Sequence, residues 1–355
     1  MKGRVTMADI AEKLGLSKGV VSRALRDQYG VNPNTKNRIV STALEMGYNF
    51  KSLHSRRDTA PVPMDRICVI INRSDYLNDP FYGEILAGVE NALSERRYEF
   101  YLSVLENISV EQLADTLAHT KARGIIMIGL FLFSNIAETM SHELPVVLVD
   151  ACLIHLYVDR VFCNNFMAGY EATRHLIDAG HRRLAFIGDV AFSGVMEERY
   201  RGYRHTLATY PAPGANEYED LSVLDRHGDE WPPALMTNEA ALARMLETAP
   251  KPIGLVCAND GVALEVYRAA AKLGLNIPQD VSVVGIDNVG QDRLLQPPLT
   301  SIDVRKFELG RQAVYLLLDR LQHPEMPTQY RQMDGEIVRR ESVRFLEPDE
   351  KKKTP

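Results

Sequence analysis

Apolar residues near the start of the chain recur with helical spacing in three short stretches. The first stretch begins after Thr6, a good helix cap, and ends at Gly15, a residue type common where helices stop. Its apolar positions are Met7, Ile10, Ala11 and Leu14. Ser17 can cap a second helix, whose apolar positions are Val20 or Val21, Ala24 and Leu25. Asn32 followed by Pro33 predicts the start of a third, with apolar positions Ile39, Val40, Ala43, Leu44 and Met46.

The rest of the chain alternates short apolar runs with amphipathic stretches. The apolar runs are residues 67–71, 100–104, 124–129, 145–150, 184–189, 254–259 and 281–287. The amphipathic stretches include residues 82–97, 167–180, 239–249 and 261–274. Strands that alternate with helices predict an α/β body with doubly wound parallel sheets, and its length suits two lobes of about a hundred residues each. The fold class is therefore a small all-α head followed by an α/β body.

The charge of the chain is divided between these two parts. Residues 1–64 carry 11 Lys and Arg against 5 Asp and Glu, although the whole chain has a net charge of −6. A basic head on an acidic body favours a polyanionic partner for the head alone. Three short helices with a small core are also the minimum for a helix-turn-helix DNA-binding unit. The alternative is a small solvated helical domain with incidental charge.

The motif VTMADIAEKLGLSKGVVSRAL at residues 5–25 is similar to the head of the lactose-repressor/galactose-repressor (LacI/GalR) family of bacterial transcription regulators. The resemblance implies that Lys18, Gly19 and Arg23 face base edges in the major groove. It places Thr6, Ser17 and Ser22 near phosphates, and Asn32 at the start of the third helix near the DNA backbone. Arg23 can contact guanine with two hydrogen bonds. The alternative for Lys18 and Arg23 is phosphate binding without base readout.

Residues 51–64, with two prolines and several basic residues, have the composition of a linker. In the family this segment resembles a hinge helix that inserts a leucine into the minor groove. The present sequence departs from that pattern, with Phe50 and Lys51 at the start and Arg57 at the place of the leucine. A narrow minor groove attracts arginine, so Arg57 is a candidate DNA contact.

The body from about residue 66 to 343 resembles the effector domain of the same family, a pair of lobes like those of periplasmic sugar-binding proteins. The stretches that carry this resemblance include NDPFYGEILAGVE, VFCNNFMAGYEATRHLIDAGHRRLAFIGD and CANDGVALEVYRAAAKLGLNIPQDVSVVGIDN. The predicted organisation is a DNA-binding head at 1–50, a linker at 51–64, an effector-binding and dimerisation domain at 65–345 and a tail at 346–355. Lobe 1 is expected at about 65–163 and 293–323, and lobe 2 at about 164–292 and 324–345.

Ligands of doubly wound folds bind outside the carboxyl ends of the strands. Polar residues follow the predicted strands at Asp150, Asp189, Asn259-Asp260 and Asp287-Asn288. From the resemblance, the effector contacts are expected at Ser74, Asp75, Phe81, Asn164, Arg199, Trp231, Asn259 and Asp287. A guanidinium, a carboxylate and an amide can each bind neighbouring sugar hydroxyls, and Trp231 can stack on a sugar ring.

Simpler roles remain open for these residues. The alternative for Asp287 is a loop cap, for Asn259 and Asp260 a cap of the helix that starts near Val262, and for Trp231 a packed surface aromatic. A phosphorylated or purine ligand is a second possibility, because Arg73 or Arg199 can take an anion.

The sequence contains no apolar run of 18 residues and no apolar signal region at its start, which predicts a cytoplasmic protein, bound to the nucleoid when on DNA. The cysteines Cys68, Cys152, Cys163 and Cys257 are widely spaced, which favours buried thiols over bridges or metal ligands.

A transport-type sugar-binding protein and a sugar-converting enzyme are the rival classes. No nucleophile elbow, phosphate loop or metal-spaced histidine cluster supports an enzyme.

We therefore expect a homodimeric repressor without cofactor or metal, which binds a pseudo-palindromic operator and is controlled by a small-molecule effector, a sugar or a sugar derivative, held between its lobes.

Overall fold

The computed structural model of the 355-residue chain divides into two compact units, Met1–Met64 and Asp65–Pro355, which we call the head and the body. The structure describes residues 5–25, 31–46, 48, 65–71, 79–104, 112, 115, 117, 119, 121–129, 141, 144–151, 157–191, 193–210, 218–225 and 239–346.

The described part of the head is a bundle of three helices. They are α1 (Met7–Leu14), α2 (Lys18–Leu25) and α3 (Pro33–Glu45). Thr6 and Asp9 cap α1 reciprocally: Asp9 N–H donates to Thr6 Oγ1 at 3.4 Å, and Thr6 N–H donates to Asp9 Oδ2 at 2.7 Å. The helix ends where Gly15 adopts a left-handed φ of 65°. The three helices enclose a small core of Ile10, Ala11, Val21, Ala24, Ile39, Ala43 and Tyr48.

Six strands form the sheet of lobe 1. They are β1 (Arg66–Ile71), β2 (Glu99–Val104), β3 (Ala122–Ile128), β4 (Val146–Val149), β5 (Asp159–Cys163) and β12 (Tyr330–Met333). Their order across the sheet is β12-β5-β4-β3-β1-β2, and all neighbours pair in parallel. The inner strands β1, β3 and β4 are apolar and buried along most of their length, as a parallel sheet covered on both faces requires.

Seven strands form the sheet of lobe 2. They are β6 (Arg183–Asp189), β7 (Glu219–Asp220), β8 (Val223–Asp225), β9 (Ile253–Cys257), β10 (Val281–Asp287), β11 (Thr300–Asp303) and β13 (Glu336–Val338). The order is β13-β11-β10-β9-β6-β7, with β8 also paired to β6. Only the edge strand β13 runs antiparallel among these described strands. The predicted fold class, a helical head and two doubly wound lobes, is confirmed.

Six described helices cover the two sheets. They are α4 (Pro80–Glu95), α5 (Asn165–Asp178), α6 (Gly194–Thr209), α7 (Glu239–Thr248), α8 (Asp260–Lys272) and α9 (Lys306–Gln322). Helices α4 and α9 pack together in lobe 1, and α5 and α6 pack together in lobe 2. Within the described residues, a membrane-crossing helix is not found, because each helix is too short or too polar.

The chain passes between the two sheets three times, and two of the crossings differ from the predicted lobe boundaries. The first lies between β5 and α5, at residue 164 as expected. The second follows β11, which pairs with β10 in lobe 2, so residues 300–303 do not belong to lobe 1 as predicted. The third follows β12, which pairs with β5 in lobe 1, so residues 330–333 do not belong to lobe 2. Strand pairing joins distant segments, and for this reason apolar patterning could not place these short strands.

Glycines let each pair of helices approach closely. A Cβ atom on Gly88 of α4 would lie 1.9 Å from the carbonyl oxygen of Phe307 in α9. In lobe 2, a Cβ atom on Gly169 of α5 would lie 1.9 Å from the carbonyl oxygen of Arg199 in α6. Both contacts are with backbone, which has little freedom to shift. The close packing therefore determines the position of the first turn of α9, which contains Lys306. It likewise determines the position of the middle of α6, which contains Arg199.

Candidate functional site

The second helix of the head presents a polar surface opposite its buried face. Val21 and Ala24 are buried in the head core. Lys18, Gly19 and Arg23 are exposed on the other side of the helix. These are the three residues that the sequence predicted to face base edges, and the structure leaves them accessible to a major groove.

Thr6 and Ser17, both predicted near phosphates, cap helices of the head. The N–H of Thr6 donates to Asp9 Oδ2 at 2.7 Å and its hydroxyl donates to the same oxygen at 2.8 Å, and these two bonds lower the pKa of Asp9. Ser17 Oγ accepts from the N–H of Val20 at 3.4 Å at the start of α2, and Ser22 of that helix is half-buried. The carbonyl of Asn32 accepts from the N–H of Lys36, which opens α3. Arg57, together with the linker, lies outside the described residues.

Arg199 lies at the centre of the candidate effector site in the body. Its side chain is 2% exposed, and its three nitrogens all donate to protein acceptors. Nε donates to Asn165 Oδ1 at 2.9 Å, Nη1 to the carbonyl of Ala258 at 2.7 Å, and Nη2 to Asp287 Oδ1 at 2.9 Å. One guanidinium therefore ties together the start of α5, the end of β9 and the end of β10.

Asp287 ends β10 and presents its carboxylate to Arg199. Burial raises the pKa of Asp287 to about 7, and the positive charge of Arg199 opposes that rise. The backbone of Asp287 has a φ of 126°, and that of Asn288 a φ of 54°, so two consecutive residues occupy a region that side chains disfavour. Such strain persists only where surrounding contacts enforce it, and it is frequent at binding sites.

A second carboxyl group approaches this pair from lobe 1. Asp150 follows β4 with a φ of 56° and is 7% exposed. Burial raises its pKa to about 7, opposed by the charge of Arg199 and reinforced by that of Asp287. Asp150 is therefore close enough to both residues for their charges to interact across the boundary between the lobes. The sequence places Asp150 at a strand end, but the expected effector contacts do not include it.

Two predicted amides act as helix caps next to the Arg199 cluster. Asn259 Oδ1 accepts from the N–H of Val262 at 2.9 Å, so the capping role considered from the sequence is the one observed. Asn164 Oδ1 accepts from the N–H of Met167 at 3.2 Å. The residues that contact Arg199 are their sequence neighbours, the carbonyl of Ala258 and the side chain of Asn165. The two predicted residues thus lie one position away from the residues that accept hydrogen bonds from Arg199, and their contact with an effector stays a prediction.

The residues predicted to form the lobe 1 wall of the site are described in part. Phe81, at the start of α4, is 8% exposed, and its N–H donates to Asp79 Oδ1 at 2.8 Å. Its ring packs edge-to-face on that of Tyr82, with 5.0 Å between ring centres. Ser74, Asp75 and Trp231 lie outside the described residues, as does Arg73.

The loop that carries Asp287 is supported from behind by a buried carboxyl group. Asp260 Oδ1 accepts from the hydroxyl of Ser301 at 2.7 Å, and its Oδ2 accepts from the N–H of Val289 at 3.1 Å. Burial, with the nearby charge of Asp292, raises the pKa of Asp260 to about 8. Asp260 therefore holds the loop in place rather than facing a ligand.

Three of the cysteines, Cys68, Cys163 and Cys257, are buried free thiols. Cys152 lies outside the described residues. Within the described part of the chain, no group of three or more His, Cys, Asp or Glu side chains is arranged to hold a metal ion. The arrangement at Arg199 is suited to binding polar groups by charge-assisted hydrogen bonds.

Two family models match the chain. One, described as "Bacterial regulatory proteins, lacI family", matches residues 6–49. The other, described as "Periplasmic binding protein-like domain", matches residues 173–343.

Full-length relatives agree with these matches. The ribose operon repressor of Haemophilus influenzae is 28% identical over 344 residues, covering 96% of this chain and 99% of that protein. The HTH-type transcriptional repressor CytR of Escherichia coli strain K12 is 29% identical over 354 residues, covering 96% and 97%. Among solved structures, the complex of the transcriptional regulator CelR with cellobiose matches with a TM-score of 0.65 and 26% identity, covering 96% of this chain and all of that one.

Proposed function

Because the chain belongs to the lacI family of bacterial regulatory proteins, we propose that it is a sequence-specific transcriptional repressor controlled by a small-molecule effector bound between its two lobes. The head supplies DNA binding and the body supplies effector binding and dimerisation. A repressor of this kind works without cofactor or catalysis, and its DNA target places it in the cytoplasm.

Operator binding rests on the exposed face of α2. We assign base contacts to Lys18, Gly19 and Arg23, in a dimer whose two heads read the halves of a pseudo-palindromic operator. Phosphate contacts are assigned to Ser17, Ser22 and Asn32, together with Thr6. Because a phosphate oxygen only accepts hydrogen bonds, this contact requires the Thr6 hydroxyl to exchange its bond to Asp9 Oδ2 for one to the phosphate. Arg57 of the linker is assigned to the minor groove.

The observation that carries the effector proposal is the buried Arg199–Asp287 ion pair, whose charges interact with that of the buried Asp150 of the other lobe. A ligand in that place can bridge the lobes by accepting and donating hydrogen bonds to groups of both. The remaining contacts are assigned to Ser74, Asp75 and Phe81 in lobe 1, and to Asn164, Trp231 and Asn259 in lobe 2.

The charges at this place favour a neutral polyhydroxylated ligand over an anion. Every nitrogen of Arg199 already donates to a protein acceptor, and two carboxyl groups lie next to it. Since three of the five guanidinium N–H groups are already used, a phosphate would meet these carboxyl groups with at most two N–H groups left to offset the repulsion. A sugar hydroxyl can both donate to a carboxylate and accept from an N–H. The ribose and cellobiose in the names of two relatives are of this class.

The test is selection of an operator from random DNA by the full chain, followed by fluorescence anisotropy with a panel of neutral sugars and sugar phosphates. We expect one enriched pseudo-palindromic site and a neutral sugar that changes the affinity for it by about tenfold or more. Failure to enrich any sequence would contradict operator recognition. A response to sugar phosphates alone would contradict the neutral effector, and chemical conversion of the sugar would indicate an enzyme.

A further inference from the structure

Lys306 is a buried cation at the boundary between the lobes. It is the first residue of α9, and its side chain is 1% exposed. Its Nζ donates to the carbonyl oxygen of Asp287, and to that of Asn288 at 3.1 Å. Helix α9 packs in lobe 1 against α4, whereas Asp287 and Asn288 belong to lobe 2. The ammonium group therefore connects a lobe 1 helix to the loop that presents the effector carboxylate.

Two carboxylates lie near the same ammonium group. Glu84 Oε2, on α4 of lobe 1, is 3.6 Å from Lys306 Nζ, and Asp303 Oδ1 is 3.8 Å away. A buried charge is tolerated only when it is paired and hydrogen-bonded, so these carboxylates stabilise Lys306 where it stands. Glu84 is about half exposed, and the structure pairs it with Lys306. Through this ion pair Glu84 can influence the loop by way of Lys306.

The loop needs this support because its backbone is strained. Asp287 and Asn288 both have positive φ values. The N–H of Asn288 donates to Ser301 Oγ at 3.0 Å, that of Val289 donates to Asp260, and Arg340 Nη2 donates to Asn288 Oδ1 at 2.6 Å. All these contacts come from lobe 2. Lys306, in contrast, donates to the loop carbonyls from a helix that packs in lobe 1.

We propose that Lys306 is a positioning residue that couples the effector loop of lobe 2 to helix α4 of lobe 1, with Glu84 holding the ammonium group. The inference deepens the proposed function and rests on it for its regulatory meaning. A ligand that shifts Asp287 also moves the two loop carbonyls that accept from Lys306 Nζ. The resulting displacement of the ammonium group changes its ion pair with Glu84 on α4. Because α4 begins at the predicted lobe 1 wall of the site, this link connects the lobe 1 side of the effector site to its lobe 2 side.

Two other hydrogen bonds at the crossings between the lobes do not connect lobe 1 to the Asp287 loop. Asn164 Nδ2 donates to Asp334 Oδ1 at 2.8 Å, joining the first crossing to the third. Arg305 Nη2 donates to Glu336 Oε2 at 2.8 Å, joining the second crossing to β13. Neither contact involves the Asp287 loop.

Hydrogen exchange of the full chain, followed by mass spectrometry, tests the link without DNA or effector. The amides of Asn288 and Val289 exchange only when their bonds to Ser301 and Asp260 open. We expect Lys306→Met to raise their exchange rate about tenfold and Glu84→Gln to raise it about threefold, although Glu84 lies in the other lobe. The matched control is Glu90→Gln, an exposed glutamate of the same helix, which should leave the rate unchanged.

The double variant makes the test specific to coupling. If Glu84 acts through Lys306, Glu84→Gln adds nothing to the exchange rate once Lys306→Met is present. An unchanged loop in Glu84→Gln, or additive effects in the double variant, would overturn the proposal even if Lys306→Met were unstable. The measurement needs no operator, so this failure leaves the repressor assignment intact. Conversely, a failed operator selection leaves the exchange result unaffected.

Discussion

Arg199 and Asp287 form a buried ion pair, with Nη2 2.9 Å from Oδ1, although the two residues are 88 positions apart in the chain. The pair joins a helix to the end of a strand, and its charges interact with that of the buried Asp150 of lobe 1. The side chain to which we assign effector binding therefore also has a structural role.

Removing one partner of this pair should be more damaging than removing both charges. Arg199→Met leaves the buried carboxylate of Asp287 unpaired, and we expect the free energy of unfolding to fall by about 3–5 kcal/mol. Arg199→Met with Asp287→Asn should recover part of that loss, because no uncompensated charge remains. Urea unfolding of both variants measures the difference. Equal losses would show that Arg199 stabilises the body through its bonds to Asn165 and Ala258 alone.

The buried carboxyl groups should make the body less stable as pH rises above neutrality. Burial raises the pKa values of Asp150 and Asp287 to about 7 and that of Asp260 to about 8. Aspartates of the unfolded chain have pKa values of about 3.9. The folded state therefore keeps these protons at pH values where the unfolded chain has lost them. The stability they contribute is therefore fully present at low pH and is lost as pH rises through the folded pKa values.

Two histidines oppose this trend, but only in acid. Burial lowers the pKa values of His175 and His181 to about 4, so their effect is confined below the ordinary histidine value of about 6.5. We therefore expect the free energy of unfolding to decrease between about pH 6.5 and 8.5. Urea titrations across that range measure it, and Asp150→Asn should show a smaller decrease. A free energy that increases with pH in this window would contradict the expectation.

Two glycines of α4 should respond oppositely to alanine. At Gly88 the new Cβ atom would lie 1.9 Å from the Phe307 carbonyl oxygen, and overpacking of this kind costs about 1–3 kcal/mol. At Gly83 the new Cβ atom would meet no side chain or other element within 4 Å, so Gly83→Ala should gain up to about 1 kcal/mol from helix propensity. Thermal unfolding of the two variants compares them directly. A stabilised Gly88→Ala would mean that α4 and α9 can separate without cost.

Arg23→Ala distinguishes base readout from phosphate binding. If Arg23 contacts a guanine, the selected operator should lose about 1–3 kcal/mol of affinity while random DNA loses less, and one base position should become degenerate. Equal losses on both DNAs, with a smaller salt dependence, would instead assign Arg23 to a phosphate. Lys272→Ala, which removes a positive charge from the body surface, is the matched control.

The head could be predicted from local signals because its elements are determined locally. Thr6 and Gly15 mark the ends of α1, and Pro33 marks the start of α3, through the bonding needs of a few neighbouring residues. The long apolar strands of the body were also found, since a continuous buried run is unusual elsewhere. The apolar pattern does not predict the short strands β5, β7, β8, β11, β12 and β13, because their residues are partly polar and gain their place from distant partners.

By itself, the sequence determined the elements of the head, the charge difference between head and body, the alternation of strands and helices, and the strand ends at which polar residues gather. Only the tertiary structure decided that Asn259 caps α8, that Asp150 approaches Arg199, and that Lys306 connects α9 to the Asp287 loop. The first group depends on residues a few positions apart, whose spacing follows the period of a helix or strand. The second group depends on side chains that meet only when crossing segments pack, and their roles are set by burial and charge in that shared space.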